Sequence, residues 1–163
     1  MGHTHYIRFK TSHGNSSRVE SDYQKAIVKC QQIVKFYNDR MKMIDLKHPD
    51  RLSGYSAHTK PGKYGGLNFN GTKELGHEDF VLREHYSENS SFEFCKTARK
   101  PYDTVVVACL IVLKHYLKGQ VEVSSDGYSS DWYTGLELAK LATGLKSLKI
   151  PETIETKLTI VNQ

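Results

Sequence analysis

Nine apolar residues in a row, Val105 to Leu113, constrain this chain more than any other feature. The valines suit a strand, but the full stretch from Tyr102 to Lys118 has the length of a helix, and its ends agree with that reading. Pro101 fits a first helical position and Asp103 a first turn; Lys114, His115 and Lys118 fit a last turn, and Gly119 the cap beyond it. A helix apolar on every side has to be central and covered all round. The run is about half of what a bilayer span needs, so no membrane helix is expected.

The rest of the chain must wrap that helix. His3 to Lys10 alternates, with His5, Ile7 and Phe9 on one side, which is the period of a half-buried strand. A polar connection, Ser12 to Ser17, leads to Ser21-Asp22-Tyr23-Gln24, which matches a capping box. Tyr23, Ala26, Ile27, Cys30, Ile33, Val34 and Tyr37 then follow at helical spacing and predict a helix over Asp22 to Asp39. Residues 47–76 are rich in glycine and proline and read as a binding loop or a loose segment. Leu67 to Asn70 and Phe80 to Tyr86 read as strands bracketing an Asn70-Gly71 turn, and Phe92 to Phe94 as a third. Gln120 to Ser124 alternates, Ser125-Asp126-Gly127 turns, and Asp131 can cap a last helix from Trp132 to Ala142 whose stripe is Trp132, Leu136, Ala139 and Leu141. The tail, 145–163, reads as an edge strand near Lys157 to Val161 or a loose end. The order β-α-β-β-β-α-β-α predicts one α+β domain over 1–163, in two layers, with a mostly antiparallel sheet packed against about three helices.

At 163 residues, such a domain holds a core without staples. Cys30, Cys95 and Cys109 are odd in number and widely spaced, and no apolar signal core opens the chain, so a reducing, cytoplasmic setting is expected. The net charge of +5 is a mild attraction toward anions and falls short of the basic stripe of a nucleic-acid-coating protein.

The helix start is where chemistry concentrates. Lys96, Thr97, Arg99 and Lys100 sit just ahead of it, where unpaired backbone N–H groups favour negative charge. Arg99 suits bidentate phosphate or carboxylate recognition, unless Asp103 holds it internally. His3 and His5 share one strand face at metal-ligand spacing; a metal would need His58, His77 or His85 and carboxylates besides, so neither metal nor cofactor is assigned. The same two histidines are the candidates for acid–base work if the protein is an enzyme. Tyr6, Phe69 and Trp132 are candidate stacking rings, and Ser125 and Asp126 offer polar contacts at a strand end. The His3-Thr4-His5 string is not the paired HxT signature of two-histidine phosphoesterases, because His58-Thr59 lacks the spacer. No Walker loop, GxGxxG or nucleophile elbow is present, which weighs against an enzyme.

The block FCKTARKPYDTVVVACLIVLKHYLKGQVEVSSDG, Phe94 to Gly127, followed by Asp131-Trp132, resembles a family of hypothetical proteins from bacteria and tailed phages. Gly2 to Tyr6 and Asn68 to Gly71 resemble it too. In size and charge the chain is similar to small basic phage proteins that sequester or destroy nucleotide immune signals. That likeness implies a nucleotide-type ligand, held as by a sponge. The alternatives are a nucleotide phosphodiesterase or hydrolase using His3 or His5, and a protein that binds nucleic acid or a host factor. Self-association stays open.

Overall fold

The computed structural model describes residues 3–12, 14–44 and 66–154. Most of the glycine-rich stretch, with His58, and the predicted tail strand lie outside them. The elements are β1 (Thr4–Phe9), α1 (Ser16–Ile44), β2 (Leu67–Phe69), β3 (Phe80–Leu82), β4 (Phe92–Lys96), α2 (Asp103–Leu117), β5 (Val121–Ser125) and α3 (Tyr133–Thr143), joined in part by short 3₁₀ turns. Their order is the expected β-α-β-β-β-α-β-α, and the architecture is α+β.

Strand β1 is the middle of an antiparallel sheet ordered β4-β1-β5, with His5 opposite Cys95 on one side and Ser125 on the other. Strands β2 and β3 pair separately, Leu67 with Leu82 and Phe69 with Phe80. Helix α2 is enclosed as its composition demands: every side chain from Val105 to Leu113 is buried. Both α1 and α3 pack on it, and β5 lies against another side. Burying each of its large apolar side chains is worth about 1.5–3 kcal/mol, so this helix dominates the core. Gly135 lets α3 approach closely; a Cβ there would lie 2.4 Å from Cγ1 of Val107.

Several boundaries differ from the expectation. Helix α1 begins at Ser16, not Asp22, with the Val19 amide donating to the Asn15 carbonyl. Ser21 is therefore exposed mid-helix, and Gln24 donates to Glu20 and to the Glu84 carbonyl instead of closing a capping box. Pro101 lies in the turn before α2, and Lys118, at φ 50°, takes the left-handed position expected of Gly119. The β2–β3 connection is a longer loop organised by Asn70. Its Oδ1 accepts from Gly71 and His77, and its Nδ2 donates to the His77 carbonyl and Asp79. Leu141, assigned to the buried stripe, is 65% exposed, whereas Trp132 and Ala139 are buried. All three cysteines are free and buried, and burial pushes the Cys95 thiol up to about 12.

Candidate ligand site at the start of helix α2

The start of β1, the ends of β4 and β5, and the first turn of α2 meet at one place. Amides of Thr97 and Ala98 both donate to the His3 carbonyl, at 2.9 and 3.2 Å, and the Asp126 amide donates to the Thr4 carbonyl at 3.0 Å. The turn that makes this possible holds Ala98 and Arg99 at φ 51° and 57°. Two successive non-glycine residues in the left-handed region cost about 1–2 kcal/mol each. The strain brings the chain round so that Thr97 points inward and Arg99 outward, the former buried and the latter 57% exposed.

Strand alternation puts both imidazoles on the face that meets α2. Each histidine is 1% exposed. Nε2–H of His5 donates to Oδ1 of Asp103 at 2.6 Å, and the Thr97 hydroxyl donates to the same oxygen at 2.5 Å. Nε2 of His3 stands 3.7 Å from Oδ2 of Asp103, too far for a hydrogen bond. The two imidazoles meet edge to face at 4.8 Å, and the Trp132 indole packs edge-on to His5 at 5.5 Å. Gly127 floors the His3 ring: a Cβ there would sit 2.4 Å from Cε1 of His3 and 2.8 Å from Oδ2 of Asp131. Asp131 accepts from the Tyr128 amide at 2.8 Å and from Nη1 of Arg99 at 2.9 Å.

Both ring nitrogens of His3, Nδ1 of His5, Oγ of Ser129 and Nε1 of Trp132 are buried with no hydrogen-bond partner in the protein. Such groups are rare in folded proteins, and each costs about 1–3 kcal/mol until something fills it. Burial lowers the pKa of His3, with the charges of His5 and Arg99 acting the same way and Asp103 opposing them. Burial pushes the Asp103 carboxyl up, but the hydrogen bond and charge of His5, the Thr97 hydroxyl and His3 together outweigh it and leave the group below its ordinary value. Asp131 is also held low: the Tyr128 amide and Arg99 outweigh its burial.

The expected residues are thus sorted. His3, His5, Thr97 and Trp132 come together, and Ser125 is buried beside them, accepting from the Gly127 amide at 3.0 Å. Arg99 reaches the rim but pairs with Asp131, not Asp103. Lys96 and Lys100 are half-buried, and the Lys96 amide donates to the Glu78 carboxylate. Three of the proposed contacts do not converge on the cluster. Phe69 is a core residue packed on Phe80, Tyr6 stacks on Phe92 on the other sheet face, and exposed Asp126 accepts from the Tyr6 hydroxyl. His77 is exposed beside Asn70, and His85 pairs with Glu20, so neither joins His3 and His5. Asp103, Asp131 and Gly127 were missed as site residues; the first two read as helix-start residues and the third as a turn.

No family model, curated protein or solved structure matches this chain. No helix among the described residues is long and apolar enough to cross a membrane. A groove of about 990 Å³ lies at the opposite end of α2. Arg18, Lys25, Lys114, Lys118 and Lys149 line it, with Asp22 and Glu152 among them. Lys114 and Lys118 are legible in the sequence as last-turn cations of α2, whereas Arg18, Lys25 and Lys149 are brought to them by the fold.

Proposed function

We propose that the protein binds a small phosphate-bearing molecule of nucleotide type at the His3–His5–Asp103 cluster, with Arg99 at the mouth. The observation that carries this reading is His3, sealed from water with neither ring nitrogen partnered. Its N–H needs an acceptor, and a phosphate oxygen is one. Arg99 supplies charge by leaving Asp131 for the guest, an exchange of one exposed ion pair for a bidentate one. Tyr128, half exposed and next to Gly127, replaces Phe69 as the ring that this reading uses for a base. A binder of this kind acts as a sponge, as the resemblance to small phage proteins implies.

Isothermal titration with mononucleotides, cyclic dinucleotides and ADP-ribose tests it. Binding tighter than about 100 μM, weakened at least tenfold in Arg99→Ala, is the expected result. No member of the panel binding, or an Arg99→Ala variant that binds as well, would end the proposal.

The 2.6 Å contact between His5 and Asp103 favours one second reading, a hydrolase. A carboxylate that orients an imidazole is how general bases are commonly held. Chromatography after incubation separates the two: a sponge returns its nucleotide intact, whereas a hydrolase yields product that is lost in His5→Gln.

A further inference from the structure

The guest proposed above is an anion, yet the floor of its site is not positive. Asp103 faces His5 and Thr97, and Asp131 lies beside the His3 ring across the space that a Gly127 side chain would fill. Against these two carboxylates stands the Arg99 guanidinium, already tied to Asp131 at 2.9 Å. With both imidazoles neutral, two carboxylates stand against one guanidinium, and an incoming phosphate would meet net negative charge in a buried setting, where charge interactions are strongest. A cation would not.

We propose that His3, His5 and Asp103 bind a divalent transition-metal ion, of which zinc is the reference case. One ligand atom from each lies within 4.8 Å of the others, close enough for a single ion to gather them with small side-chain movements. Of the three imidazole nitrogens without a protein partner, the ion takes up Nε2 of His3, which already stands 3.7 Å from Oδ2 of Asp103. The donor set of two imidazoles and a carboxylate suits zinc and similar ions, whereas calcium and magnesium prefer oxygen shells. The surroundings fit as well. The Thr97 hydroxyl orients the carboxylate, and the paired Thr97 and Ala98 amides fix the backbone of His3. When the ion displaces the His5–Asp103 hydrogen bond, Nε2 of His5 gives up its proton, to its own free Nδ1 or to solvent, and coordinates through the lone pair. The Asp103 side chain, 15% exposed, is the side from which a phosphate oxygen would reach the ion. This deepens the reading of the same cluster as a phosphate site, but metal capture does not require the phosphate.

The test uses the full untagged chain, freed of metal with a chelator and dialysed. Zn²⁺ titrated alone is expected to bind at one equivalent with Kd below about 1 μM. Co²⁺ in its place should give the visible absorption of a four- or five-coordinate ion. His3→Gln and Asp103→Asn should each weaken Zn²⁺ roughly a hundredfold or more, while His77→Gln and His85→Gln leave it unchanged. Asp103→Asn keeps the size of the side chain, and its thermal midpoint shows whether the fold persists. Absence of stoichiometric Zn²⁺, or full affinity in a folded Asp103→Asn or in His3→Gln, would overturn the proposal. The nucleotide panel is then titrated into apo and zinc-loaded protein. Zinc bound with no nucleotide affinity leaves the metal site standing and ends the phosphate reading. Nucleotide bound equally well by a protein that takes up no zinc does the reverse.

Discussion

Gly127 shows how little room the site leaves. Its missing side chain is the space between the His3 ring and the Asp131 carboxylate, both within 3 Å of where a Cβ would stand. Neither neighbour can retreat freely, since His3 is enclosed and Asp131 is held by the Tyr128 amide and Arg99. Gly127→Ala should therefore cost about 1–3 kcal/mol in urea unfolding, the usual penalty of overpacking. It should also weaken whatever the cluster binds, because the His3 ring must tilt. Gly119→Ala is the matched control: nothing lies within 4 Å of its Cβ position, and its unfolding curve should move little. Equal effects of the two substitutions would mean that contact with His3 is not what makes Gly127 matter.

Helix α1 is tied to the chain beyond β3 by Glu20, which accepts from the Tyr86 amide and from Nδ1 of His85, both at 2.8 Å. The hydrogen bond to Glu20 raises the pKa of His85 above its ordinary 6.5, so that contribution is complete below pH 6.5 and fades as pH rises through the raised value. Burial pushes Glu20 up, but His85, the Tyr86 amide and Gln24 bring it below its ordinary 4.5, so its contribution is complete above pH 4.5 and fades as pH falls through the lowered value. The pair is worth most between those limits, and Glu20→Gln should flatten the thermal midpoint across pH 4 to 8; an unchanged profile would count against it. At the α2–α3 crossing, Gly135→Ala should cost about 1–3 kcal/mol by meeting Val107, and adding Val107→Ala should recover part of that loss. These elements differ in how far the sequence announces them. Helix α2 is plain from its apolar run and charged ends. Helix α1 is legible only in its middle, because Ser21 and Gln24 imitate a start while Val19, one turn before Tyr23, already belongs to the buried stripe. Leu141 lies about 140° round the helix from Leu136, which explains its exposure. In the site, the basic turn was visible as local sequence, but His5 and Asp103 are 98 residues apart, and only the sheet register brings them together.

On the scale of the whole molecule, α2 separates two kinds of electrostatic surface. Fifteen residues at 1.5 Å each put its ends about 22 Å apart, beyond two Debye lengths at physiological salt. At the first end, carboxylates and one arginine surround sealed imidazoles. The groove at the other end carries five cations against two carboxylates, a large share of the net +5 of the chain. Within it Lys25 pairs with Asp22 at 3.6 Å and Lys149 with Glu152 at 4.0 Å, while Lys114 donates to the carbonyls of Lys118 and Val121. Arg18 and Lys118, both exposed, are left to face solvent, so they should govern attraction to long polyanions. On a heparin column, Arg18→Glu combined with Lys118→Glu should elute at clearly lower salt than the parent chain, since fewer released counterions mean a shallower salt dependence. Asp103→Asn should elute like the parent or slightly later, having lost a negative charge far from the groove. The two ends should also be independent: the double charge reversal should leave zinc and nucleotide affinity at the α2 start within about twofold, since screening removes most of a charge effect over that distance. The double variant also lowers the net charge of the chain from +5 to +1, so elution with the parent chain would show that neither cation takes part in polyanion binding.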